Sequence, residues 1–116
     1  MPASTYNFTI EQGTTFSITF GYRAANGTPI NLTGYSARMH ARQPLESSRT
    51  LINATTANGL LTIAAADGTV TLALSAAQTA ALTFDKARYD LEIESVGGVV
   101  TRLVEGTITL SKEVTR

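Results

Sequence analysis

The chain has 116 residues, 43% of them hydrophobic and only 16% charged, with Lys+Arg and Asp+Glu both at 9 and no cysteine. That length buries one ordinary core without a metal or disulfide, and the even charge excludes nucleic-acid binding through a basic face. Without thiols there is no disulfide framework, thiolate metal site or cysteine nucleophile. Globular chains average roughly 25% charged residues. Here Thr, Ala, Ser and Asn take the missing places, which suits strands and a surface that packs against other proteins.

Read in order, Tyr6, Phe8 and Ile10 alternate with Thr5, Asn7 and Thr9, predicting a first strand that Glu11-Gln12-Gly13 breaks. Phe16, Ile18, Phe20 and Tyr22 share one face of a second strand. Each contributes roughly 1.5–3 kcal/mol when buried, so the four are expected to anchor the core. Asn26-Gly27 marks a tight turn, because this pair takes positive φ readily. Ile30 to Tyr35 is a short extended segment with a glycine bend at Gly34. The third strand turns Tyr35, Ala37, Met39 and Ala41 one way and Ser36, Arg38, His40 and Arg42 the other. From Gln43 to Ala57 the pattern weakens to an exposed loop with a short edge strand near Arg49 to Ala54. Leu60 to Ile63 forms the next strand, and Asp67-Gly68 turns it back.

The stretch Gly68 to Ser95 organises the rest. Val70, Leu72 and Leu74 alternate with Thr69, Thr71 and Ala73. Ser75 with Gln78 three residues on is a capping box that opens a short helix over about 75–81. After the corner Thr83-Phe84-Asp85, Tyr89, Leu91 and Ile93 point inward and Asp90, Glu92 and Glu94 outward. Gly97-Gly98 closes the last hairpin. The final strand, Val99 to Ser111, changes phase between Leu103 and Ile108-Leu110, so a β-bulge is expected at Glu105-Gly106. Residues 1–111 then form one domain, and 112–116 a polar tail that leaves it.

The run Asp85-Lys86-Ala87-Arg88-Tyr89-Asp90-Leu91 resembles the D-x-[GA]-x-Y-x-C signature of immunoglobulin-like domains. The resemblance implies an all-β, antiparallel β-sandwich of about seven to eight strands, with the short helix at the corner between strands E and F. It also implies that the Tyr89 hydroxyl bonds back to the backbone of that corner. Leu91 stands where the family has its second Cys, so apolar packing replaces the inter-sheet disulfide. In such a sandwich the third strand (C) pairs antiparallel with F. Arg38, His40 and Arg42 would then face Asp90, Glu92 and Glu94, each cross-strand pair being worth about 0.2–1 kcal/mol.

No residue set points to catalysis, a cofactor or a metal. His40 is the sole histidine, without a G-x-S-x-G serine, a second His or any Cys, and belongs with the charge ladder. Asp90, Glu92 and Glu94 stand about 6.6–7 Å apart along a strand, with no loop to wrap a calcium ion. The glycines at 97, 98 and 106 lack the order of a phosphate loop. Tyr6, Phe8, Phe16 and Phe20 read as core rather than as a stacking platform, since no Lys or Arg interleaves them. The N-terminus lacks the basic and apolar regions of an export signal, and no window approaches the roughly 20 apolar residues of a membrane span. The N-x-T sequons at Asn7, Asn26, Asn31 and Asn53 are what an Asn- and Thr-rich chain produces by chance.

Two longer stretches carry a second resemblance. Ile10 to Phe16 with Gly27 to Met39, and Tyr89 to Leu91 with Gly98 to Arg116, are similar to stretches of small bacteriophage virion proteins. These include the immunoglobulin-like N-terminal domain of siphophage baseplate upper proteins. The resemblance implies a non-enzymatic virion component, made in the host cytoplasm, that acts by protein–protein contact. Its expected place is a tail or baseplate adaptor or fibre anchor, with a capsid head decoration or head-fibre protein as the alternative. A surface adhesion or carbohydrate-binding module is the reading from another class. Partners are expected to be other virion proteins (tail, baseplate, fibre or capsid) in a symmetric multi-copy assembly, with no nucleic acid and no membrane. Contacts are expected on the Gln43 to Asn58 loop, the first strand and the C-terminal strand.

Overall fold

Period-two alternation sorts the chain into two sheets packed face to face. The structure, a computed structural model, describes residues 4–42 and 50–112. Its elements are β1 (Ser4–Thr5), β2 (Phe8–Glu11), β3 (Phe16–Gly21), β4 (Ser36–Arg42), β5 (Thr50–Thr55), β6 (Leu61–Ala64), β7 (Thr69–Leu74), α1 (Ala76–Ala80), β8 (Lys86–Glu94) and β9 (Val100–Ser111). One sheet runs β1-β9-β8-β4-β5, with β2 also on β9; the other runs β3-β7-β6. Met39, Leu72, Leu91 and Ile108 are fully buried between them. Leu91 thus takes the position of the family's cysteine as a packed aliphatic side chain.

The sequence expectations hold for most elements. The Ser75 hydroxyl accepts from the Gln78 N–H at 3.1 Å, and the Gln78 side chain accepts from the Ser75 N–H at 2.7 Å, completing the capping box. The turn after β3 is a three-residue loop in which Gly27 takes φ 87° and Ala24 N–H donates to Thr28 O at 2.9 Å. The edge strand expected after Gln43 is β5, where Ile52 and Ala54 are buried; residues 43–49 of that loop lie outside the described residues.

Five expectations are corrected. The first strand is split at Tyr6-Asn7, and both halves pair with β9 in parallel, so the sandwich is not wholly antiparallel. The bulge lies at Leu103 rather than at Glu105-Gly106. Leu91 faces Val104 and Glu92 faces Arg102, leaving Leu103 as the extra residue, while Glu105 and Gly106 pair regularly with Asp90 and Tyr89. Of the four large side chains expected to anchor the core from β3 and its end, only Phe20 is buried. Phe16, Ile18 and Tyr22 are half-buried, because β3 is the edge of a three-stranded sheet. The charge ladder matches at Arg38–Glu92 and His40–Asp90, but Arg42 stands opposite Arg88. Lys112 does not leave the domain: its ammonium donates to Thr83 O at 3.2 Å and lies 3.4 Å from Asp85. Residues 113–116 of the expected tail lie outside the described residues.

Candidate functional site

The N-terminal strand closes one side of the sandwich, and Gly106 is what lets it do so. A Cβ on Gly106 would overlap the Tyr6 carbonyl and press on the Asn7 side chain. With hydrogen there instead, Tyr6 N–H donates to Glu105 O at 2.9 Å, and Asn7 Oδ1 accepts from Thr107 N–H at 2.9 Å across the split. The Tyr89 side chain lies beside Gly106 on the inner face, and its hydroxyl donates to the Tyr6 carbonyl. The family resemblance implied a bond from Tyr89 to its own corner; here the hydroxyl pins the chain's first strand. Burial raises the Tyr89 pKa well above the ordinary tyrosine value, so the hydroxyl stays a donor. Rings pack along this seam: Phe8 stacks on Phe16 at 5.6 Å and meets Tyr89 edge-on at 5.0 Å, and Tyr6 meets Phe20 edge-on at 6.2 Å. The four aromatics weighed as a stacking platform are therefore the packing of this seam, with only Tyr6 half exposed.

Above that seam, between β3 and the start of β1, runs an open groove of about 590 Å³. Consecutive residues line it from three strands: Ser4–Tyr6, Ile18–Arg23 and Thr101–Val104. Lining by consecutive rather than alternate residues means that the groove follows strand edges, not a sheet face. Its apolar floor includes Ile18, Phe20 and the bulged Leu103, and arginines 23 and 102 stand at its rim. The first strand and the C-terminal strand, expected as contact elements, thus meet here. The described part of the Gln43 to Asn58 segment does not line the groove. The part played by β3 was not foreseen, because nothing in its alternation distinguishes an edge strand from a central one.

Two arginines pair with the acidic row on the outer face of the larger sheet. Arg38 bonds Glu92 at 3.1 Å and Glu94 at 3.2 Å, which raise its pKa above the usual value. From the other side Arg102 reaches Asp90 at 3.6 Å, Glu92 at 3.9 Å and Glu105 at 3.7 Å. His40 lies opposite Asp90, with its Nδ1 3.4 Å from the Arg42 guanidinium. Among the described residues no group of three or more His, Asp or Glu side chains is placed to hold a metal ion. No helix among them is long and apolar enough to cross a membrane.

Among solved structures, the chain is similar to a chain of a chicken TCR crystal structure, with a TM-score of 0.57 and 16% identity. The alignment covers 97% of this chain and 55% of that one, so this protein spans about half the length of that structure. The fold is an immunoglobulin-like β-sandwich. No protein-family model matches the chain, and no curated protein matches it in sequence. In immunoglobulin terms β3, β7 and β6 are strands B, E and D, and β4, β8 and β9 are C, F and G, with β5 as the extra strand that variable-type domains add beside C. The groove lies where the N-terminal strand, paired with G, faces the free edge of B.

Proposed function

We propose that this immunoglobulin-like domain is a non-enzymatic structural component of a tailed-phage virion, acting by protein–protein contact as a tail or baseplate adaptor or fibre anchor. The observation that carries the reading is the combination of a charge-free β3-β7-β6 sheet with an open groove along its β3 edge. Such a face can be covered by a neighbour without stranding a charge, as repeated contacts in a symmetric assembly require. The resemblance to phage virion proteins supplies the setting. Its shared positions Gly34, Tyr89 and Gly106 sit at joints of the fold: a Cβ on Gly34 would overlap the Val96 side chain, and Tyr89 with Gly106 clasps the first strand. Quantitative mass spectrometry of purified particles tests the reading. Stoichiometric presence at a tail-like copy number is expected. A copy number matching the capsid lattice would move the protein to the head, and absence from mature particles would overturn the proposal.

A further inference from the structure

Gly21 is a glycine without an evident reason in its own chain. It closes β3, and its φ is not positive, unlike that of Gly13, Gly27, Gly34, Gly59, Gly68 and Gly98. A Cβ built on it meets only the Arg23 Nε, at an ordinary 3.7 Å. Gly106, the other glycine within a strand, is demanded by the Tyr6 carbonyl. Glycine in a strand weakens it relative to alanine by roughly 0.5–1 kcal/mol, and it commonly marks a place where another backbone comes close.

Three further features converge on the same place. Tyr22 N–H donates to Gly68 O at 2.7 Å, toward β7, so by alternation the backbone groups of Ser17, Thr19 and Gly21 face away from β7 along the free edge. That edge has no Lys, Pro or bulge to block pairing, the usual protections of an exposed strand. At its end the Arg23 guanidinium donates to Gly27 O at 3.2 Å and has no carboxylate partner among the described residues. Arg102, across the groove, is already held by three acids.

The geometry points to β-augmentation: the groove takes an extended strand of a different protein, paired to the β3 edge at Ser17, Thr19 and Gly21. Apolar side chains of that strand face Ile18 and Leu103, and a carboxylate meets Arg23. A second copy of this chain fits less well, because β3 offers no acidic residue to a neighbouring Arg23. This inference deepens the contact reading above by naming the occupant, and its test needs no virus particle, so the two fail separately.

The probes are short synthetic peptides alternating valine and threonine: one ending in glutamate, one ending in lysine, and one glutamate-ended with alternate backbone nitrogens methylated. Amide chemical shifts of the isolated protein are followed during titration. The glutamate peptide is expected to shift Thr19, Gly21 and Leu103, with the lysine peptide roughly tenfold weaker and the methylated one silent. Gly21→Pro removes an edge N–H that faces away from β7, and it is expected to melt within a few degrees of the parent yet lose peptide binding. Arg23→Glu is expected to reverse the preference toward lysine. Shifts confined to other strands, or Gly21→Pro binding as well as the parent, would overturn the proposal. So would sedimentation showing a dimer that Gly21→Pro dissolves, since a second copy would then be the occupant.

Discussion

The two sheets turn opposite outer faces to solvent. On β4, β8 and β9 the outward side chains include Arg38, Asp90, Glu92, Glu94, Arg102 and Glu105, joined by ion pairs of 3.1–3.9 Å, with His40 beside them. On β3, β7 and β6 they are Ser17, Thr19, Thr62, Ala64, Thr69, Thr71 and Ala73, with Thr19 and Thr71 sharing a hydroxyl–hydroxyl bond of 2.9 Å. Covering the first face would desolvate several ions, at an effective cost of several kcal/mol each. Covering the second desolvates only hydroxyls and methyl groups, and two of those hydroxyls, on Thr19 and Thr71, already bond each other. One face therefore keeps its register and stays wet, while the other is free to be covered. The N-terminal strand belongs to the charged sheet but is held from inside, by Tyr89 and by the space at Gly106.

That contrast is broken most severely at the clasp. Gly106→Ala places a methyl group on the Tyr6 carbonyl, and a loss of about 3 kcal/mol is expected in denaturant unfolding, with β1 and β2 exchanging amide hydrogens fastest. Tyr89→Phe leaves the Tyr6 carbonyl without its donor and should lose about 1–2 kcal/mol. The same hydroxyl sets an alkaline limit. Its folded pKa is raised, so its contribution is complete below the unfolded value near ~10 and is lost as pH rises beyond it. The parent should lose stability above about pH 10 more steeply than Tyr89→Phe, by up to roughly 1.4 kcal/mol per pH unit. Arg38→Ala removes a half-exposed pair of ion contacts and should cost about 0.5–1 kcal/mol at low salt, less in molar salt. Thr19→Val, on the uncharged face, should change stability by less than about 0.5 kcal/mol and show no dependence on salt. If Thr19→Val were as salt-sensitive as Arg38→Ala, the two faces would not differ as described.

Much of this was legible in the residues, and the gaps have physical causes. Alternation in β4, β7 and β8, the Ser75–Gln78 box and the placing of the Arg38-His40 row beside the acidic row of β8 are local patterns, so sequence spacing carries them, though not the register that puts Arg42 on Arg88. Strand direction is different. Phe8 and Ile10 alternate in the same way whether their strand runs parallel or antiparallel to its neighbour, so the parallel pairing with β9 was invisible. The phase change in β9 required a bulge, but parity alone did not locate it at Leu103. Gly106 invited the bulge because glycine often marks one; its actual reason is a carbonyl contributed by a residue near the other end of the chain. Tyr89 was marked by its signature, while its acceptor at Tyr6 depends on long-range packing. The groove was hidden for the same reason, since it exists only where two edges meet. Gly21 was the single local sign of it.

The most direct measurement is amide hydrogen exchange on the protein free and within purified particles. The contact reading expects new protection at Ser17, Thr19 and Gly21 on assembly, with the outward charged residues of β4 and β8 unchanged. Protection gained on the charged face while β3 exchanges as in the free chain would contradict the assignment of docking to the uncharged sheet and its edge.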